Sequence, residues 1–430
     1  MLISGMLAVL LGAMANYLID PYGMHRVVDR DGFNRHKPKA GLSGNLVKPY
    51  VVQKVRPRTL LLGNSRVEAG IDPESPRWPD AVQPVYNMAF RASGIDVALK
   101  SLQHVIKTAA PETVVVGLDF IDFVNDDGGT LDHRTITPEP SEFDRRLLVN
   151  IDGTPNEFHF YQDVKDVAST LFSLNALLDS MLTVTLQGRS DQPDLTAAGF
   201  NPMREYERFA RVDGYPTLFR QVETTYLTNY LRAPKLLYSS GTASPEFDQL
   251  RSLIKLCREH GIRLLLYIHP YHAHMMESYR VGNLWPLFEE WKRALVVILE
   301  TDAGAHPGAA PFDLWDFSGY NQITTENVPT ASEKGRMMQW YWEVGHYKRA
   351  AGEFVLARML GIVADVPDPQ STMFGVKLSK RNIERHLADI RDARAQYADT
   401  HREEIAALET LAESIRARNA GRKGALRSAP

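Results

Sequence analysis

The chain has a single cysteine in 430 residues, Cys257, which excludes an intrachain disulfide framework and any site built from several thiolates. It also lacks a basic excess: 49 Lys and Arg stand against 52 Asp and Glu, for a formal net charge of -3. Nucleic-acid binders need a concentrated positive field against the phosphates, so nucleic acid is not expected as a partner. Internal repeats are missing, and nothing in the sequence calls for a cofactor. What remains is a long, ordinary composition, 44% hydrophobic and 23% charged, enough for one large domain with an elaborate insertion. Cys257 sits in "LIKLCREHGI" and reads as a small hydrophobe on the buried face of a helix.

The first 19 residues, "MLISGMLAVLLGAMANYLI", carry no charge. At about 1.5 Å per residue such a run is just long enough to cross the hydrocarbon core of a bilayer. A membrane anchor is therefore expected at residues 1–19, since a buried core helix would show a polar face. A cleaved signal peptide is the alternative: the A-x-A pattern at Ala13–Ala15 suits it, although no basic region precedes the apolar stretch. The flank that follows is rich in Arg, Lys and His, which the positive-inside rule places in the cytoplasm, but Asp20, Asp29 and Asp31 dilute it.

Residues 20–56 read as a polar connector punctuated by Pro21, Gly23, Pro38, Gly41 and Gly44. Short unbroken apolar runs then alternate with helical periodicity. "TLLLG" (59–63), "PVYNMAF" (84–90) and "ETVVVGLDF" (112–120) predict buried strands, with a helix over 95–109. That rhythm signals a parallel α/β sheet. It breaks at about 125–245, which reads as a mainly helical insertion. It resumes with a helix over 244–261, a strand at 262–270, a helix through "LFEEWKRALVVILETDAG" and a last strand at 312–319. The tail, Lys380–Arg418, predicts one long charged helix with a narrow apolar stripe that falters near Thr400–Glu404. Packing on the chain's own body or self-association as a coiled coil would both use that stripe, and "GRKGALRSAP" reads as a disordered end.

Two short motifs carry chemistry. In "LGNSR", Ser65 follows the first predicted strand, and ligands of doubly wound sheets gather at the carboxyl ends of strands. Its hydroxyl would be exposed there, with a backbone N–H at the start of a helix to face a developing oxyanion. The plainer alternative is Ser or Asn as a helix cap. Far downstream, "QWYWEVGHYKRAAG" places Glu343 three residues before His346. A serine hydroxyl needs a general base, and that base needs a carboxylate to fix its tautomer. The same spacing could be a solvated helix start or half a metal site. A histidine cluster, His269, His272 and His274, follows the predicted strand at 262–270. Metal binding, substrate contact and purely structural roles are open for it, although no H-E-x-x-H pattern accompanies it. Arg66 would bind an anionic sugar or carboxylate, or pair with Asp119 or Asp122. The insertion's aromatics (Phe158, Phe160, Tyr161, Tyr206, Tyr215, Tyr226, Tyr230) would line a sugar cleft or fill a core.

Together these motifs resemble the SGNH/GDSL hydrolase-like superfamily over roughly residues 57–365, the insertion excluded. The resemblance implies a flavodoxin-like three-layer sandwich around a parallel sheet, with a C-terminal helix in residues 366–430 outside it. It makes Ser65 the nucleophile, His346 the general base and Glu343 the acid. "NMAFRASGID" is similar to the family's second block, so Gly94 would lend its N–H to the oxyanion hole. The third block ordinarily supplies an Asn donor, and Asp119 stands there instead. Asn64 for Asp and Glu343 for Asp are further departures. With the N-terminal apolar segment, the chain looks like the membrane-anchored branch that includes alginate O-acetylation and D-alanyl transfer proteins. The implied activity is serine-dependent O-acyl transfer, of acetyl above all, or ester hydrolysis on a cell-surface or secreted polysaccharide. The main domain would be periplasmic, anchored in the inner membrane, with Arg66, Asp119, His269 and His272 near the substrate and secretion or acyl-transfer proteins as partners. The rival reading, supported by Asp119, is a catalytically silent polysaccharide-binding or assembly subunit.

Overall fold

In the computed structural model, which describes residues 2–126, 140–239, 242–243, 245–333, 335–362 and 374–427, the unbroken apolar runs become strands. They are β1 (Thr59–Leu62), β2 (Val85–Asn87), β3 (Thr113–Leu118), β4 (Arg263–Ile268) and β5 (Asp313–Asp316). β1 to β3 are buried at every position, which is why they read as continuous Val and Leu rather than alternating. β1 lies parallel to β2 and β3, and β4 parallel to β5. A separate antiparallel hairpin, β6 (Tyr341–Glu343) with β7 (His346–Tyr347), comes before a sixth sheet strand, β8 (Val376–Lys377). β8 pairs antiparallel with β5, so the strand at 312–319 is not the last. Two residues are too few to leave a periodic signal. The sheet order is β2-β1-β3-β4-β5-β8, an α/β arrangement with a mostly parallel centre.

The chain divides into two compact units: Met1–Val116, Arg134–Arg208 and Leu256–Arg263 form the first, and Gly117–His133, Phe209–Lys255 and Leu264–Pro430 the second. The helices of the first unit used below are α1 (Leu2–Ile19), α2 (Gly44–Val55), α3 (Ser65–Gly70), α4 (Ile95–Thr108), α5 (His159–Phe172) and α6 (Leu174–Thr185). Residues 20–56 are not a solvated connector. Asn34 Nδ2 donates to the carbonyls of Leu18 and Ile19 at 3.1 Å each, and Lys37 Nζ to those of Ile19 and Asp20 at 3.0 and 2.8 Å. These are the orphan carbonyls at the end of α1, so the segment folds back and caps it. α2 follows and buries Lys48.

The second unit contains α7 (Tyr215–Tyr230), α8 (Pro245–Glu259) up to Lys255, α9 (Ala273–Val281), α10 (Trp285–Ala305), α11 (Arg349–Leu360), α12 (Ile383–Thr400) and α13 (Arg402–Arg427). Cys257 is buried on α8, as its surroundings predict. The described part of the insertion at 125–245 is mainly helical, with two short antiparallel pairs, Asn125–Asp126 with Lys235–Leu236 and Tyr238–Ser239 with Thr242–Ala243; residues 127–139, 240–241 and 244 lie outside the described ones. The insertion divides between the two units rather than forming one cap.

The tail is two helices, broken at His401 where the apolar stripe falters. Of the expected stripe, Ile383, Leu387, Ile390, Tyr397, Leu408 and Ile415 are buried, and Ile405 and Leu411 are half-buried. Arg394 grips Glu277 at 2.8 Å and Arg280 grips Glu409 at 2.8 Å. The stripe therefore packs on its own unit. Helix continues to Arg427, through most of the expected disordered end, and residues 428–430 lie outside the described ones.

Candidate active site

Ser65 is the first residue of α3, three positions past the carboxyl end of β1. The turn between them needs Gly63, whose φ of 138° is a conformation that side chains rarely adopt. Asn64 caps the helix, its Oδ1 accepting the Arg66 N–H at 3.0 Å. The capping role therefore belongs to Asn64 and not to Ser65. α3 has only six residues, too few for a sizeable macrodipole, so any electrostatic help to an oxyanion must come from individual N–H groups.

A buried ion pair holds this turn of chain. Lys48 Nζ reaches Glu68 Oε1 at 2.8 Å and also the Ala89 carbonyl, while Glu68 Oε2 accepts Arg91 Nε at 3.3 Å and Asn201 Nδ2 at 3.4 Å. Burial pushes the Lys48 ammonium below its ordinary pKa, and Glu68 opposes that shift. Asn87 completes the frame, donating to the carbonyls of Val67 and Ile71 at 2.9 and 3.0 Å and accepting from the Ala89 N–H at 3.1 Å. Thus α3 and the segment after β2 are tied together by side chains that no short motif advertises. Gly94 ends that segment as the N-cap of α4, with φ -108° and ψ -169°. Arg66 is buried, only 6% exposed.

In the second unit the E-x-x-H spacing becomes a hairpin. Glu343 and His346 face each other across β6 and β7, so Val344 and Gly345 form a two-residue turn. His346 Nδ1 contacts Glu343 Oε1. A carboxylate only accepts, so Nδ1 carries the proton and Nε2 is left as the basic nitrogen. Glu343 is buried and its second oxygen accepts the Gly345 N–H at 2.6 Å. Gly345 must be small: a Cβ there would lie 2.7 Å from Tyr226 Oη on α7. Of the expected cleft set, Tyr226 is thus brought against the turn of the dyad, whereas Tyr215 and Tyr230 are core residues.

The segment after β4 supports this hairpin. Tyr341 Oη donates to the Pro270 carbonyl at 3.0 Å, the Tyr267 and Tyr347 hydroxyls meet at 3.0 Å, and the His269 ring lies 6.0 Å from that of Tyr347. His269 is fully buried among these rings. His272 caps α9: its Nδ1 accepts the His274 N–H at 3.2 Å and its Nε2 donates to the Glu326 carbonyl at 2.9 Å. Both its nitrogens are engaged by the chain and burial holds its pKa well below the ordinary value, so in this structure His272 serves as a helix cap. His274 sits between Glu223, at 2.7 Å, and Glu404 on α13, at 3.3 Å. Burial opposes its charge, but these two carboxylates outweigh burial and raise its pKa to about 9. Among the described residues no group of three or more His, Cys, Asp or Glu has the arrangement of a metal site. Asp119 directly follows β3, and its Oδ1 accepts the Tyr271 hydroxyl at 2.9 Å; that hydroxyl in turn accepts the Phe120 N–H at 3.2 Å.

Neither a family model, nor a curated protein, nor a solved structure matches the chain. The site therefore stands on its own geometry. The structure brings Glu343 and His346 together, and places Ser65 and Asp119 immediately beyond the carboxyl ends of β1 and β3, with Gly94 further along the segment that leaves β2. The residues missed from the sequence are Lys48, Glu68, Tyr271 and Tyr341. A charged residue in a supposed connector and tyrosines in apolar runs give no local signal of what they will hold.

Proposed function

We propose that the chain is a serine-dependent O-acyltransferase or esterase of the SGNH-like kind, acting on a cell-surface or secreted polysaccharide. The observation that carries this reading is the Glu343–His346 hairpin, a carboxylate fixed on Nδ1 of an imidazole that is 18% exposed. With Nδ1 held, Nε2 would take the Ser65 proton as Oγ attacks an ester carbonyl. The imidazolium would then protonate the departing alkoxide, leaving an acyl-Ser65 ester. A sugar hydroxyl or water, deprotonated by the same Nε2, would release it. Backbone N–H groups around Ser65 and Gly94 would face the oxyanion. Support for the fold comes from strand order: without the antiparallel edge, β2-β1-β3-β4-β5 is the 2-1-3-4-5 order of flavodoxin-like sheets, whose ligands lie beyond the strands' carboxyl ends. Polymer specificity, secretion partners and an extracytoplasmic main domain belong to the same proposal through the resemblance alone.

Asp119 favours a second reading, a silent polysaccharide-binding or assembly subunit. The position expected to donate to the oxyanion carries instead an acceptor tethered by Tyr271. One assay separates the two. The purified chain is offered 4-nitrophenyl acetate beside Ser65→Ala and His346→Ala, with folding checked by circular dichroism. An enzyme loses about 1,000-fold or more in kcat with either substitution. Activity that survives both refutes the triad. A folded, inactive wild type that still binds polysaccharide supports the silent subunit.

A further inference from the structure

No single helix among the described residues is long and apolar enough to cross a membrane, and α1 is no exception. α5 and α6 pass that test only as a pair, bent by 59° at their junction. α1 packs against both, and the packing is inverted relative to a water-soluble bundle. Its buried side chains are small or polar: Ala13, Asn16, Thr170, Ala176, Ser180 and Thr183. Asn16 Nδ2 donates to the Leu171 carbonyl at 2.8 Å and Asn16 Oδ1 accepts Ser180 Oγ at 2.9 Å. The large apolar side chains face outward instead, with Phe172 55%, Leu174 79% and Leu178 59% exposed around the bend.

In water this arrangement forfeits about 1.5–3 kcal/mol for each large apolar side chain left outside. In hydrocarbon it is the expected one, because lipid offers Leu nothing less than a protein core does. Helices there associate through small residues and interhelical hydrogen bonds. The charge pattern agrees. Between Lys165 and Arg189 the charged residues are Asp166, buried, and Asp179, which is held by the Tyr22 hydroxyl at 2.8 Å and Lys39 at 3.1 Å. One more observation selects lipid over a protein partner. Residues 3–11 of α1 are exposed at every position, all the way round the helix, and none is charged. A docking groove would cover one face; a bilayer surrounds.

We propose that α1 and the bent pair α5–α6 enter the bilayer together as one lipid-embedded unit, with the Phe172–Leu174 bend immersed. This inference does not rest on the acyl-transfer reading. The test uses the full chain with single cysteines at Leu10→Cys, Phe172→Cys, Leu178→Cys or, as a control on α10, Val297→Cys. Buried Cys257 stays unlabelled. Each variant carries an environment-sensitive fluorophore and is reconstituted into phosphatidylcholine–phosphatidylglycerol vesicles containing nitroxide-labelled acyl chains. Quenching at Phe172 and Leu178 is expected to match that at Leu10 within about twofold, with Val297 unquenched. Quenching at Leu10 alone would make α1 the sole anchor and overturn the proposal. So would absence of quenching at all positions, or a vesicle-independent spectral shift at Leu178 that grows with protein concentration, the mark of a second copy on this face. Esterase activity of the same samples, with and without Ser65→Ala, separates failure here from failure of the catalytic reading.

Discussion

Lys48→Met should be a costly single change in the first unit. The substitution keeps an unbranched stem in place of the lysine chain and deletes the ammonium that contacts Glu68 at 2.8 Å and the Ala89 carbonyl. The lysine side chain is 0% and the glutamate 4% exposed, so water cannot replace the lost partner. Stranding one member of a buried pair costs about 3–5 kcal/mol, most of it the penalty of an uncompensated charge. Glu68 keeps longer contacts to Arg91, at 3.3 Å, and Asn201, at 3.4 Å, which places the expected loss near the lower end, about 3 kcal/mol. Urea unfolding followed by circular dichroism reads this directly. Because the penalty comes from the stranded carboxylate, Lys48→Met with Glu68→Gln should be more stable than Lys48→Met alone, by about 1–2 kcal/mol. Glu68 lies one turn after Ser65, so the single variant should also lose esterase turnover that the double partly regains. A loss below about 1 kcal/mol, or a double variant no better than the single, would refute the account of a buried pair anchoring α3.

Other consequences are checked as readily. The raised His274 pKa, about 9, means that its charged form stabilises the fold fully below the unfolded value of about 6.5 and ceases to do so as pH rises through 9. Wild type should lose about 3 kcal/mol between pH 6 and pH 10 from this group, and His274→Gln should remove that slope in pH-dependent urea unfolding. Gly345→Ala sets a Cβ 2.7 Å from Tyr226 Oη, so it should lower kcat by about tenfold or more while costing only about 1–2 kcal/mol of stability, measured side by side. Asp119→Asn keeps an oxygen for the Tyr271 hydroxyl and adds an N–H donor. A retired enzyme should gain about 100-fold or more in ester turnover from one restored oxyanion donor, and a working one should change by less than about tenfold.

The sheet was legible because its strands are buried on both faces and so leave unbroken apolar runs, bounded by Gly and Pro. β8 left no such run, and neither did α2, whose helix carries Pro49 and whose Lys48 looks like a surface charge until its partner is known. The tail's apolar stripe gave six of the buried residues and, where it falters, the place of the break, but not the break itself, because two consecutive amphipathic helices can share one period. At the site, Glu343 and His346 were visible as a pair since a two-residue turn fixes their separation at three. The capping role of His272 was not legible: histidines close in sequence meet different partners once one of them caps a helix, as His272 and His274 do.

The opening ambiguity at Ser65 is resolved in one respect by its neighbour. A strand-to-helix turn requires one capping side chain, and Asn64 supplies it through the Arg66 N–H. Ser65 is the residue after that cap and does not itself supply it. Gly63, by contrast, is needed, since its φ of 138° sets the direction in which the chain leaves β1. The sequence "GNS" therefore divides its labour: Gly63 makes the turn, Asn64 caps the helix, and Ser65 opens that helix three positions beyond β1. Changing Asn64 to Ala should accordingly act on stability through a lost cap, about 1 kcal/mol, while changing Ser65 to Ala should act on chemistry. The contrast between two adjacent substitutions, one thermodynamic and one catalytic, distinguishes a nucleophile from a turn residue more sharply than either substitution does alone.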